Sequence, residues 1–325
     1  MPNDPGMWPP AQGGERLRDN VVRAALDGLK AVPKTLPPWL FYDPEGCRLF
    51  YEITRLPEYY LTRTEESVLS AHATEMIPPS MRHATLVEFG ASTEHKARYL
   101  LDQRDASGDA IFETFMPIDV AASELLDMRV RLGMSHPRLR VKPIVADFMQ
   151  PMTLPGLVQP VLGYFPGSTI GNLDPGDAVD FLGRVRSALG HQAWLLMGAD
   201  LRKDPAIVLP AYDDAAGVTA AFNLNLLARL NREACGRFDM TAFAHQAIWN
   251  DRDSRIEMHL RSKHDQVVWV AGEPIVFREG ETIHTENSYK HPPAALEELA
   301  RAGGWRLERC WTDPAGWFGE FLFKA

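Results

Sequence analysis

Three acids stand where three strand-like runs end. Glu88 lies two residues before Gly90 in L-V-E-F-G-A-S (86–92), Asp119 closes P-I-D, and Asp147 closes A-D-F. In open α/β sheets ligands bind outside the carboxyl ends of the strands. Carboxylates there can accept hydrogen bonds from ribose hydroxyls and an adenine amino group, and Phe148 can lie against the base. Gly90 permits positive φ or a close backbone approach. Singly, Asp119 or Asp147 reads more often as a helix N-cap; three strand ends in register carry a nucleoside reading. A fourth strand end, Y-F-P-G-S-T-I-G-N (164–172), offers Ser168, Thr169 and Asn172 on a loop with two glycines. These are neutral hydrogen-bonding groups, suited to a small polar ligand, with Ser168 and Thr169 read as shaping the turn.

The loop from Gly90 to Lys96 has the pattern G-x-S-x-x-x-K, which is neither a dinucleotide fingerprint nor a phosphate-cradling loop. A nucleoside cofactor without a diphosphate needs neither. S-adenosylmethionine fits that description, and its sulfonium tolerates acidic surroundings. The expected class is therefore a methyltransferase-like core.

The elements that hold these loops follow from periodicity. Strands are expected at Ala84–Phe89, Ile111–Ile118, Leu139–Ala146, Val161–Phe165 and Ala193–Ala199, alternating with helices from about Glu94, Ala121 and Pro175. That rhythm implies βαβ units and a mostly parallel sheet. Thr62-Arg-Thr-Glu65 reads as a capping box opening a helix through Ile77. After Asp200 the rhythm changes. A long helix (Asp213–Ala234) leads into short strands at Phe243–Trp249, Arg255–Leu260, Val267–Val270, Ile275–Phe277 and Glu281–Ser288, expected as an antiparallel meander. Helix Pro293–Ala302 and strands Arg306–Trp311 and Gly316–Phe323 can return to the first sheet. The expected layout is α/β: a core from 63–200 and 290–325, an inserted α+β lobe from 15–62 and 201–289, and a flexible arm over 1–14. A ligand cleft between core and lobe is expected, as pockets favour domain interfaces.

Composition narrows the partners. The chain has 325 residues with 45% hydrophobic and 24% charged, ordinary for a globular enzyme. A net charge of −9 argues against nucleic acid, whose phosphates need a basic surface. Three scattered cysteines form no metal pattern and fit a reducing cytoplasm. No apolar run is long enough for a membrane span and no leader is visible. A cytoplasmic monomer acting on a small molecule is expected, with no obligatory protein partner.

In the lobe, T-I-H-T-E-N-S (282–288) places Glu286 and Ser288 on one face if it is a strand. A carboxylate and a hydroxyl can satisfy both nitrogens of an imidazole; a solvated edge strand is the plainer alternative. His284 is expected on the same face as Glu286, but a metal needs a third ligand that no nearby motif supplies, so none is expected. Tyr59, Tyr60, Phe222 and Met258 read as core or cleft-lining groups.

At these residues the chain resembles the histidine N-alpha-methyltransferase family of ergothioneine biosynthesis. The resemblance runs from about Glu15 to the C-terminus. It rests on F-Y-D-P-E-G (41–46), L-P-E-Y-Y (56–60), G-S-T-I-G-N (167–172), A-Y-D-D-A-A-G-V-T-A-A-F-N (211–223), R-I-E-M (255–258) and T-E-N-S-Y-K (285–290). It implies a Rossmann-like methyltransferase core with an inserted substrate lobe, S-adenosyl-L-methionine as cofactor, and L-histidine with its mono- and dimethyl forms as substrates, trimethylated to hercynine. It places the cofactor against Tyr42, Gly90, Lys96, Asp119, Asp147 and Phe148. Asn172 and Tyr212 would hold the carboxylate and amino end, Tyr59 and Met258 would line the pocket, and Glu286 and Ser288 would read the imidazole. Asn172, Tyr59 and Tyr42 are the catalytic candidates, the tyrosines through a water relay for the amine proton. The chain departs from the family's usual pattern at Ala91 and Pro166, where fine cofactor affinity is the property in question.

Overall fold

The computed structural model describes residues 13–325. The strands are β1 (Lys34–Thr35), β2 (Ala84–Phe89), β3 (Phe112–Asp119), β4 (Arg140–Val141), β5 (Ile144–Val145), β6 (Val161–Phe165) and β7 (Trp194–Asp200). Then come β8 (Phe243–Asn250), β9 (Arg255–Ser262), β10 (Gln266–Val270), β11 (Glu273–Phe277), β12 (Thr282–Tyr289), β13 (Arg306–Thr312) and β14 (Phe318–Lys324). The chain divides into two compact units. The larger holds Tyr60–Asp204, Asp251–Arg255 and Asn287–Ala325. The smaller holds the described residues up to Tyr59, Pro205–Asn250 and Ile256–Glu286. The arm expected over 1–14 lies, as far as residue 12, outside the described residues, and a helix starts at Gly13.

The larger unit is built on an eight-stranded sheet ordered β13-β14-β7-β6-β2-β3-β4, with β5 also beside β3. β2 to β7 pair in parallel, while β14 runs antiparallel to both β7 and β13. Alternation along the buried strands sends side chains into two cores. Leu86 and Phe115 pack with helices Tyr60–Met76, His95–Leu101 and Ala122–Ser135. Val87, Phe89 and Met197 pack with Pro175–Leu189 and Pro293–Ala302 on the other face. Burying both faces of a mostly parallel sheet in this way is the α/β arrangement that the strand–helix rhythm implies. The strand order reverses between β2 and β6, so the loops after these strands flank a switch point, the usual ligand position in such sheets.

Two expectations fail locally in this unit. The strand over Leu139–Ala146 is split into β4 and β5 by Lys142-Pro143, because proline has no N–H to continue the ladder. The capping box is absent: the helix already begins at Tyr60, and Glu65 is fully buried and bonded elsewhere.

The smaller unit carries a four-stranded sheet ordered β1-β12-β9-β8, with β1 parallel to β12. The meander expected here does not form. β10 and β11 leave as a separate hairpin, closed by Ala271 and Gly272 at φ +49° and +83°. Two consecutive residues with positive φ make the tight turn that matches strand twist. The long helix starts at Val218 rather than Asp213, since Gly217 takes φ +74° and the Asp214 carboxylate accepts from the Val218 and Thr219 amides.

Candidate active site

The loop after β2 is held by backbone. The Gly90 and Ala91 amides both donate to the Ile118 carbonyl, at 2.9 and 3.0 Å. Gly90 has φ +79°, and a methyl group there would stand 3.4 Å from the Phe148 ring. Asp119 accepts from the Ala121 amide and Asp147 from the Met149 amide, each at 2.9 Å. The N-cap-like use of these acids is thus real, yet each carboxylate has a second oxygen. Burial pushes the Asp119 carboxyl up, against the pull of the Ala121 and Val120 amides. Asp147 is exposed and Phe148 half-buried, edge-on to Phe165 and Phe181 at 5.9 Å each. Gly90, Asp119, Asp147 and Phe148 therefore stand at neighbouring strand ends of one sheet. A glycine shelf, an aromatic ring and two carboxylates fit a nucleoside and lack a polyphosphate cradle.

Lys96 is placed differently from a simple ligand contact, because its ammonium bonds Glu65. Glu65, Glu88 and Glu320 are buried, at 0%, 2% and 0% exposure. Burial pushes the Glu88 and Glu320 carboxyls well up, and the neighbouring Glu65 adds to the effect at Glu320. As a carboxylate, Glu320 would have no donor for either oxygen. Held as the neutral acid it donates to Glu65, which also accepts from Lys96 and, at 2.7 Å, from the Gly167 amide. Gly198 makes room for the pair: a methyl group there would meet Glu65 at 2.7 Å and Glu320 at 3.0 Å.

The loop after β6 is fastened to a buried side chain and to neighbouring backbone. Gly167 and Ser168 take φ +77° and +58°. Thr169 donates to the Pro166 carbonyl, and Ser168 Oγ accepts from the Asp200 amide, both at 2.9 Å. Asp200 itself is buried and accepts from Tyr60 at 2.7 Å and Lys203 at 2.5 Å, and pairs with Lys290 at 2.9 Å. Burial lowers the Lys203 ammonium to about 8, opposed by Asp200. Lys290, fully buried, also donates to Ser288 Oγ at 2.9 Å. Gly171 lies against the Tyr289 backbone, so closely that a methyl group would be 2.7 Å from its carbonyl oxygen. The half-buried Asn172 therefore follows a residue that abuts the segment carrying Ser288, within the same unit.

In the smaller unit three further candidates share an aromatic cluster. Tyr42 and Tyr59 each meet Phe50 edge-on, with centroids 6.3 Å apart, and Tyr59 meets Tyr212 at 6.4 Å. His245 Nε2 donates to the Tyr212 carbonyl at 2.8 Å, and Nδ1 receives the Asn223 amide at 2.9 Å. Burial lowers the His245 pKa, consistent with this neutral tautomer. Met258 and Glu286 are buried on adjacent strands β9 and β12, which Thr285 ties by donating to the Met258 carbonyl at 3.0 Å.

The pairing of His284 with Glu286 is not what the period of two predicts. Burial along β12 alternates as far as Thr285 and then shifts phase, leaving Glu286 buried and His284 half-buried. His284 Nε2 meets the Glu286 backbone carbonyl instead, at 3.1 Å. Asp200, Lys290, Lys203 and Glu320 were not among the sequence candidates, Tyr60 was read only as a core or cleft-lining group, and Glu65 only as a capping residue. They come from segments far apart in the chain that meet only in the fold, so no local spacing signals them.

The histidine-specific, S-adenosylmethionine-dependent methyltransferase family model matches residues 21–325. The chain belongs to that family. It is 45% identical over 312 residues to the histidine N-alpha-methyltransferase of Mycolicibacterium smegmatis, covering 95% of this chain and 94% of that one. The Mycobacterium tuberculosis protein of the same name is 43% identical, with 92% and 93% covered. Ergothioneine biosynthesis protein 1 of Neurospora crassa is 30% identical over 86% of this chain and 32% of its own. Members of this family use S-adenosylmethionine, in agreement with the strand-end residues that fit its nucleoside. Among the described residues no helix is long and apolar enough to cross a membrane.

Proposed function

We propose that this enzyme methylates the α-amine of L-histidine three times, giving hercynine, and so carries out the first step of ergothioneine biosynthesis. The observation that carries the reading is the identity of 45% and 43%, over nearly the whole chain, to two mycobacterial histidine N-alpha-methyltransferases. Glu286 and Ser288, both buried near the end of β12, are a carboxyl and a hydroxyl of the kind that can pair with the two nitrogens of an imidazole.

S-adenosylmethionine supplies a methyl group on a positively charged sulfur, open to displacement by an amine lone pair. Gly90, Asp119, Asp147 and Phe148 would hold its nucleoside, with Lys96 and Tyr42 as further contacts. Asn172 and Tyr212 would fix the carboxylate and amino end, while Tyr59 and Met258 line the pocket. Positioning is the main source of rate, since aligning a nucleophile with its target supplies about 7–11 kcal/mol. An α-amine with a pKa of about 8 is mostly protonated at neutrality. A proton must therefore leave before each of the three transfers, by water near Tyr42 or Tyr59. Neutral Asn172 and aromatic walls accept the growing ammonium without a fixed counter-charge. We place the active form in the cytoplasm as a monomer.

Mass spectrometry of histidine after incubation with S-adenosylmethionine is expected to show three added methyl groups. Unchanged histidine beside a methylated tryptophan derivative or another amine would move the enzyme to a different acceptor. Glu286→Ala is expected to weaken histidine binding by roughly 10–100-fold with S-adenosylmethionine binding unchanged in calorimetry. Equal loss of both ligands contradicts the role given to Glu286.

A further inference from the structure

We infer a divalent-metal site in the smaller unit, formed by Glu257 and His259 on β9 and His284 on β12. One ligand atom from each of the three lies within 4.8 Å of the others. Glu257 and His259 are two residues apart on one strand, so they project to the same face. Glu257 Oε2 and His259 Nε2 stand 3.3 Å apart. Two donors held tetrahedrally at about 2.0–2.1 Å from zinc are separated by about 3.3–3.4 Å. The pair therefore already has the spacing of bound ligands, and the donor atom of His284 lies within 4.8 Å of both. The His259 and His284 rings lie 4.9 Å apart and tilted by 33°.

The surroundings orient these donors as outer-shell partners do in metal centres. Asn250 donates to Glu257 Oε1 at 2.8 Å, which turns Oε2 toward His259. Donation from His284 Nε2 to the Glu286 carbonyl leaves Nδ1 as the ligand atom of that ring. Asn223, fully buried, donates to the His259 carbonyl at 3.1 Å and fixes the backbone beneath it. Two neutral imidazoles and one carboxylate suit zinc and its first-row neighbours rather than calcium or magnesium, which favour oxygen ligands. The Glu257 and His259 side chains retain 12% and 13% exposure, enough for an ion to enter and for water to take a fourth position. The site would clip β9 to β12 and so set the strands that carry Met258 and Glu286.

The test uses the full chain, freed of metal by chelator and titrated with zinc chloride by calorimetry, beside the variants His284→Gln and His259→Ala/His284→Ala. One zinc per chain is expected, with at least tenfold weaker binding in each variant. Cobalt(II) should give the intense visible bands of a four-coordinate ion in the wild type alone. S-adenosylmethionine titrations verify that each variant remains folded. Absent stoichiometric binding, or equal binding by wild type and double variant, overturns the site and leaves a histidine–carboxylate hydrogen bond in its place.

Discussion

The two loops at the switch point are anchored by opposite means. The loop after β2 hangs on amide bonds to the Ile118 carbonyl and on the small size of Gly90. The loop after β6 is tied through the Gly167 amide to the buried Glu65 side chain and through Ser168 Oγ to the Asp200 backbone amide, beside the buried cluster of Asp200, Lys203 and Lys290. A backbone-built loop can follow a nucleoside with few side chains of its own. A loop fastened to buried side chains and backbone is fixed in position whatever its ligand, which suits the residue proposed to hold an amine in line. The difference teaches that one sheet edge can divide its work between tolerant and rigid binding.

Removing the charge should break the comparison most. Asp200→Ala leaves Lys203 and Lys290 buried without their carboxylate. The expected loss is about 3–5 kcal/mol in urea unfolding. A variant as stable as the wild type would show that the buried charges beside the loop after β6 do not hold the structure.

The second prediction concerns His291, whose backbone pairs with Leu201 beside Asp200. Burial, aided by Lys290, pushes its pKa from 6.5 down to about 4. The unfolded chain thus binds the extra proton first, and stability present above pH 6.5 is lost as pH falls toward 4. The full effect is on the order of 3 kcal/mol. Glu88 and Glu320, whose folded carboxyls are raised, tilt stability the other way as pH rises above 4.5. The quantity to measure is therefore the difference between wild type and His291→Asn, by urea unfolding at pH 7 and 4.5. A difference independent of pH would contradict the assignment.

The smallest effect belongs to the backbone-held loop. Gly90→Ala must adopt φ +79° and press on Phe148, at a cost of about 1–2 kcal/mol. S-adenosylmethionine affinity should fall roughly 5–30-fold, with histidine affinity nearly unchanged. Loss of histidine binding alone would reverse the roles of the two loops.

Much of the larger unit was legible in the sequence because parallel strands buried on both faces are nearly continuous apolar runs. Val161–Phe165 is reproduced residue for residue, and Gly90, Asp119 and Asp147 stand at strand ends as expected. Long-range polar partners were illegible. Glu65 looks like a capping residue three positions after Thr62, and only the fold reveals Gly167, Lys96 and Glu320 around it. In the smaller unit, short strands fixed their own existence but not their neighbours. The period of two grouped His284 with Glu286, whereas a phase shift within β12 and a partner on β9 regroup it with Glu257 and His259.

Gly198 sits under Glu65 and Glu320 with no space for even one more carbon. Its effect on sequence change should be visible wherever enough relatives can be aligned. A chain that acquires a side chain at 198 must shorten 65 or 320, and one that loses either acid is released from glycine. These three positions, each at least 122 residues from the others in the chain, should therefore vary together or not at all. Independent drift among them would show that the neutral acid and its carboxylate partner are not a unit on which selection acts.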